Sequence, residues 1–379
     1  MNNRVRGILF FVLVFCAGPL VFVGLAFAKP SLEPVSFDLF ERLFPLDNNV
    51  WSQRAEVLKG LENSLHFLRS SSADGAYKKF ERSGIDKGRV IQSLLRFRTL
   101  LFSSRSAAEL TQKLKREFSV VRSTGSDGAG AVKFTGYFQP VYKASLKKSG
   151  KYQFPIYALP GDWGNNHPNP TRVQLEGYTG AGPVYGPLKG KELAYLASRY
   201  EAYMIQVQGS SILELPNGEH AAVGFAGATD YPFQGVPKSF LAEKNIRWSD
   251  IGMHFKQHPE DLNWVLSRNN RFVFFKMQPF KEPVGSLGVP VVAERSIATD
   301  KSQMPPGALA LVHTLLPVKS PNGGFVMARK PQFVFDQDTG SAIKGPGRVD
   351  VFMGTGAEAG QMADSVSSNG SLYYLLLNK

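Results

Sequence analysis

The feature that most limits how this chain can fold is a change of hydrophobic period near residue 123. Before it, Trp51, Ala55, Leu58, Leu61, Leu65 and Leu68 recur at spacings of three and four, on one face of a helix. Ser70 to Gly75 breaks that pattern, and Ile85 to Phe102 and Ala107 to Phe118 resume it as further helices. Ser123 to Gly130, rich in Gly, Ser and Asp, is a loop. Beyond it the period drops to two in short, evenly spaced runs: "AVKFTGYFQPVYKAS", "AYMIQVQGSSILEL", "RFVFFKMQ", "GVPVVAE" and "ALALVHTLL". With 37 glycines and 24 prolines to punctuate them, these runs predict β-barrels rather than a parallel sheet. "QHPEDLNWVLSRN" reads as one helix with Pro259 in its first turn, and Pro155 to Pro187 as a long irregular surface excursion. A chain of 379 residues has room for two domains.

Charge and the N-terminus narrow the partners. A formal net charge of +13 calls for an acidic one: nucleic acid, an anionic lipid surface or an anionic polymer. Arg4 and Arg6 precede an apolar run from Ile8 to Ala28 that ends in Ala26-Phe27-Ala28. This predicts a secretory signal over residues 1–28 and a mature chain starting near Lys29, with an uncleaved anchor as the alternative. Cys16, the one cysteine, lies in that segment behind Phe15, where a lipoprotein signal wants a small residue. Without it the mature chain has neither a disulfide scaffold nor a thiolate site. Export argues against nucleic acid, and a basic, disulfide-free exported protein suits a bacterial envelope.

Several motifs can be set aside. His254 and His258 sit four apart without the HExxH pattern, and His66, His167, His220 and His313 are scattered, so no metal is expected. Gln208-Gly209-Ser210-Ser211 lacks a nucleophile elbow but follows the run "YMIQV", as a strand-end turn that can line a cleft. Tyr178 to Gly182 lacks the helix and lysine of a phosphate loop. Asp338-Thr339-Gly340 is half of an aspartic protease signature, yet that chemistry needs two such loops sharing one proton. In "GRVDVFMG" the alternation sends Val349 and Val351 to one face and Arg348, Asp350 and Phe352 to the other. An acid beside Phe352 in a cleft could be held protonated by burial and serve glycosidic cleavage. It could equally be an ordinary salt-bridged strand aspartate; periodicity leaves both open.

"FTGYFQPVYKAS", "YMIQVQGSSILELPNGEHAAVGFAG", "NNRFVFFK", "VPVVAERSIATDKSQMPPGALA" and "DTGSAIKGPGRVDVFMGTGAEAGQMA" together resemble the membrane-bound lytic murein transglycosylase A family. The likeness runs from about Lys133 to Ala363 and includes a three-aspartate pattern matched by Asp300, Asp338 and Asp350. It implies a mainly β fold with N-terminal helices: a double-psi β-barrel domain, residues 29–140 and 271–379, with a smaller β-barrel domain, 141–270, inserted. The groove between them would bind a peptidoglycan glycan strand, with Asp350 catalytic and Asp338 supporting it. Thr135, Gly136, Tyr137, Gln208, Gly209, Ser210, Lys276 and Asp300 would contribute to substrate binding. The implied reaction is non-hydrolytic cleavage of the β-1,4 MurNAc–GlcNAc bond, without a cofactor, by a monomeric periplasmic protein. Association with the outer membrane and with wall-remodelling partners is a further expectation. The alternative keeps the fold and loses the catalysis, leaving a wall-binding or wall-loosening protein.

Overall fold

A computed structural model of the chain describes residues 30–35, 50–161, 163, 168–181, 186–279 and 282–379. The expected signal segment, Cys16 and His167 lie outside the described residues. Among the described residues, strand β1 (Leu32–Pro34) is followed by the α-helices α1 (Arg54–Leu68), α2 (Ser71–Tyr77), α3 (Lys87–Ser103) and α4 (Ala107–Glu117). The expected breaker after residue 70 is helix α2, because Ser70 supplies an extended N-cap backbone and Ala73 and Tyr77 find buried positions. Asp86 and Ser106 cap α3 and α4 by accepting from the backbone N–H of Arg89 and Glu109. In α1 the buried stripe is Val57, Leu61, Leu65 and Leu68, while Ala55 is exposed.

Two sheets follow. The first comprises β1, β2 (Phe118–Ser123), β3 (Val132–Gln139), β10 (Ser296–Ala298), β11 (Leu309–Lys319), β12 (Phe325–Asp338), β13 (Arg348–Thr355) and β14 (Ser367–Leu377). Its order is β1-β2-β14-β11-β12-β10-β13-β3, and a further pairing of β14 with β3 closes six strands into a barrel. The second sheet holds β4 (Val141–Ser145), β5 (Phe154–Tyr157), β6 (Glu192–Leu196), β7 (Ser210–Glu214), β8 (His220–Ala228) and β9 (Val273–Gln278). Its order is β5-β6-β4-β7-β8-β9, and a bridge from Ala158 to Phe275 brings its two edges together. The barrels expected from the alternation are present, though β10–β12, β13–β3 and β4–β7 run parallel within them.

Helices α5 (Arg172–Glu176), α6 (Arg199–Gln208), α7 (Lys238–Glu243), α8 (Ile251–Gln257) and α9 (Pro259–Arg268) accompany the second sheet; α10 (Ala357–Ser365) precedes β14. Pro259 opens α9 as expected, where its missing N–H costs nothing. Two strand readings are overturned. "YMIQV" lies in α6: Ser198 caps it, and Gly209 ends it with φ +78°. Ala202, Tyr203, Ile205 and Gln206 supply its buried face, so tertiary contacts outweigh a strand-like composition. "GVPVVAE" forms no strand; Pro290 there lacks a ladder donor, and Glu294 adopts φ +60°. The excursion from 155 to 187 also contains β5 and α5.

Helix α10 packs on β3 and β13 at van der Waals limit. A Cβ on Gly136 would lie 2.5 Å from the Cα of Ala363. Val349 and Val351 are fully buried on the same side, so Thr135, Tyr137 and Asp350 face the other way. Gly136→Ala should therefore destabilise the fold by about 1–3 kcal/mol, since backbone rather than a flexible side chain must yield. Urea unfolding of the variant measures this, and an unchanged midpoint would contradict the packing.

Candidate active site

The site is a row of residues brought into register across the first barrel. Asp338, at the end of β12, pairs with Ala298 of β10. Ala298 pairs in turn with Asp350 of β13, Asp350 with Thr135 of β3, and Thr135 with Ser367 of β14. Two aspartates separated by a loop in sequence thus stand two strands apart, with the smallest chiral side chain between them. Directly opposed residues share a face, so the carboxylates emerge on one surface.

The two acids are held differently. Asp338 is satisfied on both oxygens: Oδ2 accepts from the Tyr137 hydroxyl at 2.8 Å, and Oδ1 from the backbone N–H of Ser286 and Thr339, each at 2.8 Å. Burial, reinforced by Asp338 and Asp350, pushes the Tyr137 phenol well above its ordinary pKa, so it remains a donor. Its ring lies 5.2 Å from that of Phe352. Asp350 uses one oxygen: Oδ1 accepts from the Thr135 hydroxyl and, at 3.0 Å, from Arg348 Nε. Among the described residues nothing donates to its Oδ2.

Around this row the connecting loops are pinned. Asp300 receives Ser302 N–H at 2.9 Å, Ser302 Oγ at 2.6 Å and Gly345 N–H at 2.8 Å, and so braces the loop joining Asp338 to Asp350. Burial acts to raise its pKa, but these hydrogen bonds outweigh it and hold the carboxyl below its ordinary value. Asp336, fully buried two residues before Asp338, accepts from Thr299 at 2.8 Å, Tyr374 at 2.6 Å and Lys301. Burial raises its pKa against the pull of Lys301, whose ammonium also donates to the Asp338 carbonyl. Gly285 passes so close that a Cβ would meet the Gln337 carbonyl at 2.7 Å.

The second sheet presents its own row: Ser210 of β7 pairs with Gly224 of β8, which pairs with Lys276 of β9. Among the described residues the Lys276 ammonium has no partner, and its side chain is exposed. Gln208 ties this part of the chain to the first row, since its Oε1 accepts the backbone N–H of Phe138, next to Tyr137, at 3.3 Å. Of the residues read from sequence, Thr135, Tyr137, Asp338 and Asp350 stand together, while Ser210 and Lys276 form a second group. Gly136 faces α10, Gly209 caps α6, and Asp300 sits behind the connecting loop. Arg348, Ser286, Lys301 and Asp336 were missed as site residues. For Arg348 the signal was present, since the alternation places it on the Asp350 face. A cavity of about 370 Å³ between Lys59, Glu282, Val292 and Thr355 borders the site through Phe352, but neither carboxylate lines it. Among the described residues no group of His, Cys, Asp or Glu could hold a metal ion.

Known proteins resemble this chain in sequence and in fold. A family model for the MltA specific insert domain matches residues 133–276, and one for the 3D domain matches 295–376. Membrane-bound lytic murein transglycosylase A of Escherichia coli K12 is 31% identical over 259 residues, which cover 66% of this chain and 67% of the relative. A homolog from Buchnera aphidicola subsp. Schizaphis graminum is 28% identical over 277 residues, covering 71% and 72%. The crystal structure of E. coli MltA with bound chitohexaose superposes with a TM-score of 0.68 at 23% identity, covering 93% of this chain and 96% of that one. That of a membrane-bound lytic murein transglycosylase from Agrobacterium tumefaciens gives 0.68 at 22%, covering 92% and 98%. These two likenesses bear on the fold.

The Asp300 brace makes a pH-dependent contribution to stability. Its folded pKa lies below the unfolded value, so the contribution is complete above about pH 4 and is lost as pH falls through the folded value. Asp300→Ala should lower the melting temperature at neutral pH, and the gap from the parent should close on acidification. A gap that persists at low pH would place the effect elsewhere.

Proposed function

The chain belongs to the membrane-bound lytic murein transglycosylase A family, and from that premise we propose that Asp350 is the single acid–base group with which it cleaves peptidoglycan. The protein is a lytic transglycosylase, a carbon–oxygen lyase that cuts the β-1,4 bond between N-acetylmuramic acid and N-acetylglucosamine without adding water. The muramoyl C6 hydroxyl attacks C1 and closes a 1,6-anhydro ring. As acid, Asp350 protonates the departing glycosidic oxygen; as the resulting base it accepts the proton of the C6 hydroxyl. The nucleophile belongs to the substrate, so its effective concentration is high and no second carboxylate is needed to hold water.

One observation carries the assignment: Asp338 has both oxygens committed to Tyr137, Ser286 and Thr339, whereas among the described residues nothing donates to Oδ2 of Asp350. A carboxylate that already accepts three hydrogen bonds is suited to holding a site together. One with an open oxygen is suited to proton exchange. Asp338 is accordingly the supporting acid, acting through Tyr137. The row Ser210–Gly224–Lys276 supports a glycan contact on the second sheet, where the exposed Lys276 meets an anionic polymer whose stem peptides carry carboxylates. The net charge of +13 favours the same polymer. The chitohexaose bound to E. coli MltA supports an extended glycan as ligand.

The place of action is the periplasm, with association to the outer membrane; the membrane-bound relatives support a place in the cell envelope. Among the described residues no helix is long and apolar enough to cross a membrane.

Asp350→Asn should retain glycan binding and lose about 10²–10⁴-fold or more in turnover of purified sacculi, because an amide has no carboxylic proton to give. Turnover near the parent rate would remove Asp350 from the role. The products of the parent enzyme should end in 1,6-anhydromuramic acid, lighter by one water than hydrolysed ends. Glycan O-acetylated at the muramoyl C6 position should resist cleavage, because the nucleophile is capped. Ordinary reducing ends in the mass spectrum would identify a hydrolase instead.

A further inference from the structure

We propose that Arg348 is a positioning residue for the cleavage step: with Thr135 it pins Oδ1 of Asp350 and thereby selects Oδ2 as the oxygen that exchanges the proton. The inference rests on the reading of Asp350 as the acid–base group.

Three contacts form a closed triangle. Arg348 Nε donates to Asp350 Oδ1 at 3.0 Å, Arg348 Nη2 donates to Thr135 Oγ1 at 2.8 Å, and the Thr135 hydroxyl donates to the same Oδ1. The direction of this chain is fixed by chemistry. A guanidinium can only donate, so the threonine oxygen accepts from it and spends its own hydrogen on Asp350. Thr135 therefore has no proton left for a sugar. Other charges nearby have their own partners: Lys133 of β3 donates to Ser367 at 2.9 Å, Asp338 is capped by Tyr137, and Lys301 is bound to Asp336. Arg348 and Thr135 come from neighbouring strands, which gives the carboxylate a fixed rotamer at little entropic cost.

The triangle also suits the charge that develops. Oδ2 gives its proton to the glycosidic oxygen as the C1–O bond breaks; the C6 oxygen bonds to C1 and its proton passes to Oδ2, restoring the acid. Between these events Asp350 is a carboxylate, and the guanidinium against Oδ1 stabilises it where it forms. Because this help is given along the reaction and not to the bound glycan, its loss should fall on kcat.

The test compares Arg348→Ala, Arg348→Lys, Thr135→Val and Thr135→Ser on soluble muramyl glycan strands. Arg348→Ala should lose about 10²-fold in kcat. KM should stay within about twofold of the parent. Millimolar methylguanidine should restore part of the lost rate, and Arg348→Lys should retain more activity than the alanine variant. Thr135→Val should lower kcat and Thr135→Ser preserve it. A kcat for Arg348→Ala within about threefold of the parent, or a loss residing in KM, overturns the proposal. Should Arg348→Ala melt early, the near-isosteric Thr135→Val decides, by the same split. A parent enzyme that yields no anhydro ends would count against the reading of Asp350 instead, whatever the Arg348 variants do.

Discussion

The structure turns on one register. The row Asp338–Ala298–Asp350–Thr135–Ser367 crosses five strands of the first barrel, and each member comes from a different stretch of sequence. A slip of one residue where β10 pairs with β12 or β13 would send a carboxylate to the opposite face, where Val349 and Val351 meet the core. The barrel therefore cannot be loose. Gly136 enforces the β3–β13 position from behind, by letting α10 approach to backbone contact. The irregularity between Ile297 and Ala298 in the β10–β12 pairing is what brings Asp338 level with Ala298.

Holding two acids near one another on a half-buried surface is costly unless each has partners of its own. The protein solves this by division. Asp338 takes three neutral donors, while Asp350 takes the Arg348 guanidinium and the Thr135 hydroxyl. Below them Asp336 is fully buried with Lys301, Thr299 and Tyr374, and Lys301 extends from that core pair to the Asp338 carbonyl. The loop that presents Asp338 is thus fastened to the barrel interior and does not depend on substrate for its shape. Preorganisation of this kind suits the acid–base role proposed for Asp350.

Much of this was legible where one physical signal dominates. Period-two alternation placed Arg348, Asp350 and Phe352 on one face, and the three-four spacing located α1, α3 and α4 to within a turn but missed α2. Legibility failed where two signals compete. In "YMIQV" the aromatic and β-branched composition reads as strand, but the Ser198 cap, the Gly209 stop and the buried Tyr203 and Ile205 make it helix. In "GVPVVAE" the apolar run is a loop whose valines pack inward without a ladder. Sequence pattern also says nothing of which side chain turns onto which. The Tyr137 bond to Asp338 spans 201 positions, and the Ser286 bond 52. Such contacts exist only once the register is set.

The second sheet shows why an insertion can sit so close to the chemistry without disturbing it. The chain leaves β3 at Gln139, two residues after Tyr137, and Pro140 ends the ladder before β4 begins. An excursion at that point would leave the end of β3 free to fray. Two contacts oppose this: Gln208 accepts the Phe138 N–H, and the Gly356 N–H donates to the Gln139 carbonyl at 2.9 Å. One comes from the inserted segment and the other from the start of α10, so the strand end is held from both sides. Gln208 in turn is the last residue of α6, one step before the turn that launches Ser210 into its row with Gly224 and Lys276. The acid row and the lysine row are thus linked by this helix terminus and amide contact, together with the Pro140 carbonyl, which accepts from the Ser211 hydroxyl and the Ile212 N–H. A glycan lying across both rows would meet a surface whose two halves share a backbone anchor beside Tyr137.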